Sequence, residues 1–101
     1  MNQKTRPADL PEFDLAEHLK SEQDIAEYLT QVIADGDMSE LAHAVGVAAR
    51  ARGMTEVARE CGLTREALYK ALRPEAAPRF DTINRVCAAL GVRLVARPIH
   101  T

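Results

Sequence analysis

Aromatic residues make up 4 % of this 101-residue chain, cysteines number two, and no apolar run approaches the ~20 residues that cross a bilayer. Each shortage excludes something. Without a long apolar run there is no membrane span, and the stretch from Met1 to Asp14 lacks the apolar centre of a secretory signal. Cys61 and Cys87 form neither a C-x-x-C pair nor a disulfide framework, so the expected compartment is a reducing cytoplasm. His18, His43 and His100 share no ligand spacing, and no glycine-rich phosphate cradle is present. Asp9, Glu12, Asp14 and Glu17 cluster, but no rigid element gathers them, and a solvated face accounts for them better than a metal site does. Internal repeats and low-complexity tracts are absent. The chain therefore reads as a protein without enzymatic activity, metal or cofactor.

What remains can fold. Apolar residues at 47 % and charged residues at 28 % argue against wholesale disorder. The length suits one domain with one core. The net charge of −2 hides an asymmetry: residues 1–40 carry a net −7 and residues 41–101 a net +5. Two partner surfaces of opposite sign would produce this split. Two solvated faces that neutralise each other would produce it equally well.

Along the chain, residues 1–12 read as a flexible arm bracketed by Pro7 and Pro11, residues 13–37 as an acidic helical segment, and residues 38–101 as the main domain. Asp14 and Glu17 fit a capping box that opens a helix over 15–20. Ser21 and Asp24 cap the next, whose stripe is Ile25, Tyr28, Leu29, Val32 and Ile33, and Gly36 closes it. Ser39 caps a helix over 40–52 that ends at Gly53. Thr55 starts a short helix ended by Gly62. Thr64 starts another that stops before Pro74, with Leu63 and Leu68 placed as a hydrophobic staple. Residues 73–79 read as a loop, and a last helix spans 82–90. Beyond Gly91 the period changes to two, which predicts a short β-strand over 92–97. A lone strand leaves backbone groups unsatisfied. Two copies could pair through Val92, Leu94, Val95 and Ala96 in a homodimer. A loosely ordered tail, or pairing with the N-terminal arm, are the alternatives.

The stretch from Met54 to Leu72 carries the most information. Ala58 is small where two helices must approach, Gly62 suits the tight turn, and Val57 and Leu68 supply apolar contacts. This is the pattern of a helix-turn-helix, whose second helix enters the DNA major groove. Thr64, Arg65, Glu66, Tyr69 and Lys70 should face outward, and Ala67, Leu68 and Leu72 inward. The planar fork of Arg65 matches O6 and N7 of guanine. Glu66 accepts from a cytosine amino group, orients Arg65, or pairs with Lys70 at i, i+4. Lys70, Arg73 and Arg79 are candidates for phosphate contacts. Thr55 and Thr64 open helices whose amides favour phosphate oxygens, although capping alone would explain them. Tyr69 could meet a sugar, a thymine methyl or a partner subunit. From Arg50 to Arg73 six basic residues face three acids, a modest footprint that a dimer would double.

The runs Phe13–Leu19, Ile25–Leu29, Ala49–Thr55 and Gly62–Leu72, with Pro74, Phe80 and Gly91–Leu94, resemble the addiction-module antidote family over about residues 12–97. The segment Gly62–Leu72 is the most specific part. The resemblance implies an all-α, λ-repressor-like helix-turn-helix domain. It also implies an antitoxin that neutralises a basic RelE/ParE-like toxin encoded alongside and represses the shared operon. The loop Pro74–Pro78 departs from the Gly/Asn-containing loop expected there, which puts its phosphate contacts in doubt. An acidic N-terminal third would attract a basic toxin. Phe13, Leu15, Leu19, Tyr28 and Leu29 are then candidate anchors, with Asp14, Glu17, Glu22 and Glu27 beside them. Tyr28 and Leu29 also fit an ordinary core stripe. The competing functions are a stand-alone phage-type repressor without a toxin, and an adaptor that has lost DNA binding.

Overall fold

The computed structural model describes residues 10–36 and 38–100, with the backbone alone at Met38 and Pro74. The proposed arm therefore lies outside the described residues up to residue 9. Among the described residues six α-helices follow one another: α1 Glu12–His18, α2 Glu22–Ala34, α3 Met38–Arg52, α4 Met54–Cys61, α5 Arg65–Ala71 and α6 Phe80–Ala89. A single 3₁₀ turn, Pro74–Ala76, lies between α5 and α6.

Helix starts depend on which residue supplies the first acceptor. Before α2 the Ser21 hydroxyl accepts from the Asp24 amide at 3.1 Å, and the Asp24 carboxylate accepts in return from the Ser21 amide at 3.2 Å. That capping box forms as the sequence predicts. The one expected at Asp14 does not. Pro11, with φ already at −57°, precedes α1, which begins at Glu12 and leaves Asp14 inside its first turn. Ser39 and Thr55 are likewise inside their helices, because α3 starts at Met38 and Gly53 precedes α4. α6 starts at Phe80, two residues earlier than the pattern places it.

α3 is the central element. It packs against α1, α2, α4, α6 and the 3₁₀ turn. From Leu41 to Ala49 every residue except His43 is buried. Most of these are alanine, valine or glycine, so neighbours can approach on several sides. One apolar core gathers Leu15 of α1, Tyr28 of α2, Val45 of α3, Val57 of α4, Leu68 of α5 and Val86 of α6. The acidic N-terminal segment thus shares its core with the rest of the chain. Two arginines of α3 tie the periphery down. Arg50 donates to the Glu12 carboxylate at 2.7 Å, and Arg52 donates to the Leu90 carbonyl at 3.2 Å.

The expected C-terminal strand is absent: residues 92–98 form no regular structure. Period two is present in burial, since Val92 and Leu94 are half-buried against the core while Arg93 and Val95 face out. An extended segment laid along a core produces that alternation without a ladder partner. α6 ends in a turn that releases the chain in this direction. Gly91, at φ 85°, donates to Ala88, and Val92 donates to Cys87 at 2.9 Å. The all-α class holds, and the β-strand is corrected to a packed tail.

Candidate nucleic-acid interface

The α4–α5 pair is built by one turn that ends a helix and begins the next. Gly62 has φ 72°, a conformation that costs other L-residues roughly 1–2 kcal/mol. The Gly62 amide donates to Arg59 at 3.1 Å and the Leu63 amide to Ala58 at 2.9 Å. These bonds close the last orphan carbonyls of α4. Thr64 follows immediately as the cap of α5, its hydroxyl accepting from the Ala67 amide at 3.0 Å. Leu63 packs against the core between the two caps. Three residues therefore stop one helix and start another.

Leu68 anchors α5 from within at 0 % exposure, joined by Leu72. Thr64, Arg65, Glu66, Lys70 and Arg73 are all exposed, and Tyr69 is exposed at 38 %. Ala67 is also exposed, which corrects the inward position expected for it. Arg65 lies over the Tyr69 ring, 5.5 Å from its centroid. That cation–π contact holds the guanidinium on the outer face. No ion pair joins Glu66 to Lys70, and Arg65, Lys70 and Arg73 have no carboxylate partner among the described residues. Other arginines are committed: Arg59 to Glu56 at 3.2 Å and Arg79 to Asp81 at 3.6 Å. Thr55 sits exposed in the first turn of α4.

The candidate toxin-facing residues separate into two groups. Leu15, Leu19, Tyr28 and Leu29 are buried in the core. Phe13, at 77 % exposure, Asp14, Glu17, Glu22 and Glu27 remain at the surface. Glu17 faces Lys20 at 3.6 Å, Glu27 accepts from Gln23 at 3.0 Å, and the Glu22 side chain lies over Gly91. Desolvation, followed by the nearby charges of Glu40 and Glu12, pushes the Tyr28 phenol up to about 12. Burial pushes the Cys87 thiol up to about 11 and raises Cys61 as well, which keeps both protonated and inert. No helix among the described residues is long and apolar enough to cross a membrane.

Sequence reasoning missed the tie from Arg50 to Glu12 and the apolar surface around Phe80. Neither has a periodic signal, because each joins residues far apart in the chain.

A family model described as "probable addiction module antidote protein" matches residues 9–98. This chain belongs to that family. A protein of Haemophilus influenzae strain Rd, named only as uncharacterized, is 42 % identical over 84 residues, covering 83 % of this chain and 87 % of its own. No solved structure matches. Membership of the antidote family assigns an antitoxin role and implies a toxin partner.

Proposed function

We propose that this antitoxin reads operator DNA with the outer face of α5, represses its own operon and neutralises a basic RelE/ParE-like toxin. The observation that carries the DNA part is the contrast between the two sides of one seven-residue helix. Leu68 is completely buried, while Arg65 and Lys70 stand outside without a carboxylate partner. Arg65, steadied by Tyr69, offers a planar fork suited to a guanine edge. Lys70 and Arg73 supply phosphate contacts that set position but not sequence. Two copies on a palindromic operator would double both.

The toxin part rests on charge. Asp14 and Glu17 of α1 and Glu22 and Glu27 of α2 are all exposed, as is the apolar Phe13 of α1. Opposite charge speeds encounter and sets orientation, and the exposed aromatic Phe13 offers an apolar anchor.

Co-expression with the adjacent open reading frame tests both parts. The expected result is a co-purifying basic toxin and retardation of the upstream DNA in a gel. A chain that retards no upstream DNA, alone or with its neighbour, contradicts the repressor reading. Loss of toxin from Phe13→Ser combined with Glu17→Lys, with helical content unchanged, supports the acidic face. Undiminished association overturns it.

A further inference from the structure

Two pairs of exposed residues stand at i, i+4 on α5, and they behave differently. Glu66 and Lys70 form no ion pair among the described residues. Arg65 lies over the Tyr69 ring, 5.5 Å from its centroid. Tyr69 follows the wholly buried Leu68 and is itself only 38 % exposed. A ring that turns about few bonds and is largely covered makes a stiffer support than a carboxylate on a flexible stem.

The kind of partner decides what happens to the guanidinium donors. A carboxylate or a carbonyl occupies them, as Glu12 does for Arg50 at 2.7 Å, Leu90 for Arg52 at 3.2 Å and Glu56 for Arg59 at 3.2 Å. A ring face attracts the positive charge through its quadrupole and does not take up the N–H groups in this way. The rim of donors on Arg65 therefore stays open while the side chain loses part of its freedom. That combination suits base reading, where one planar fork must meet O6 and N7 of a guanine together. A side chain ordered before contact costs less to order on contact. Lys70 lacks such a support and needs none, because a phosphate accepts a flexible point charge.

We propose that Tyr69 is a positioning residue for base reading: its ring holds Arg65 ready for guanine, and without the ring α5 prefers guanine less. The proposal rests on the assignment of α5 to DNA. The test is fluorescence anisotropy of the full chain at one salt concentration, on the upstream duplex and on the same duplex with 7-deazaguanine in place of guanine, which removes the N7 acceptor. Circular dichroism checks that helicity is kept. Wild type should prefer the natural duplex by ~5-fold or more, and Arg65→Ala should abolish the preference. Lys70→Ala should keep it while binding both duplexes more weakly. Tyr69→Leu and, separately, Tyr69→Gln should lose ~2–5-fold on the natural duplex and less on the modified one. In an Arg65→Ala background neither should lose anything further. Tyr69→Phe keeps the ring and should match wild type.

Equal losses with and without Arg65 would make Tyr69 a DNA contact in its own right and overturn the proposal. A loss in Tyr69→Phe as large as in Tyr69→Leu does the same, because it assigns the effect to the hydroxyl. Wild-type behaviour from both Tyr69→Leu and Tyr69→Gln overturns it too. In these cases base reading by Arg65 stands as long as Arg65→Ala abolishes the preference. A wild type indifferent to 7-deazaguanine overturns guanine reading and the positioning role with it. A wild type that binds neither duplex overturns the DNA reading itself.

Discussion

Two helix pairs in this molecule are joined in the same way and are finished differently. α1 and α2 are separated by Leu19, Lys20 and Ser21, and α4 and α5 by Gly62, Leu63 and Thr64. Each connector ends in a hydroxyl residue that caps the second helix, and each contains a leucine packed against the core. The third residue of α2 is Asp24, whose carboxylate reaches back to the amides of Lys20 and Ser21. The third residue of α5 is Ala67, which has nothing to reach back with. Outward, α2 shows Glu22 and Glu27, and α5 shows Arg65 and Lys70. Similar local rules build both pairs, and the clearest difference between them is the charge of the residues they expose.

Core substitutions should leave the two pairs indistinguishable. Leu68→Ala and Leu29→Ala both remove fully packed side chains, and each should cost about 2–5 kcal/mol in denaturant unfolding. A much smaller loss at Leu68 would mean that α5 is only loosely seated, and the comparison would fail. Surface substitutions should separate the pairs. Arg65→Ala should cost ~1–3 kcal/mol of affinity for the upstream DNA, with unfolding changed by less than about 0.5 kcal/mol. Glu27→Ala should leave DNA affinity unchanged in the same titration.

The caps provide a finer test. Thr64→Ala and Ser21→Ala should each cost ~1 kcal/mol of stability. Only the second should alter the response to acid. The amide of Lys20, followed by the Ser21 amide and hydroxyl, holds the Asp24 carboxyl below its ordinary 3.8. A carboxylate depressed in this way stabilises the fold at neutral pH, and the contribution is lost as pH falls from 3.8 through the lower folded value. Unfolding of Ser21→Ala followed against pH should fall less steeply there than that of the wild type or Thr64→Ala. Tyr28 acts at the other end of the scale. Its neutral form favours the fold, so its contribution is intact below 10.0 and fades as pH rises through about 12. Phenolate absorbance should show a late titration that Tyr28→Phe removes.

Most of the helices were legible because caps and apolar spacing are local. Ser21 with Asp24, Gly36, Gly62 and Thr64 each stand where the chain turns. Helix starts at Glu12 and Phe80 were not, because no side-chain cap marks them and packing or a proline sets the boundary. The tail from Val92 to Arg97 misled, since alternation reports a half-buried extended segment, and whether it becomes a strand depends on a partner for its backbone. On the candidate DNA face, the outward placement of Arg65, Glu66 and Lys70 follows from helical period. The contact between Arg65 and the Tyr69 ring, and the absence of a pair between Glu66 and Lys70, depend on side-chain geometry that spacing leaves open.

The outer face of α5 is best tested by fluorescence anisotropy on the upstream duplex at one fixed salt concentration. Wild type is compared with Arg65→Ala/Lys70→Ala, after circular dichroism has shown equal helicity. Affinity should fall by ~100-fold, because the double substitution removes a base-reading side chain and a phosphate-binding side chain at once. Equal affinity for the two proteins would contradict the assignment of this face to DNA.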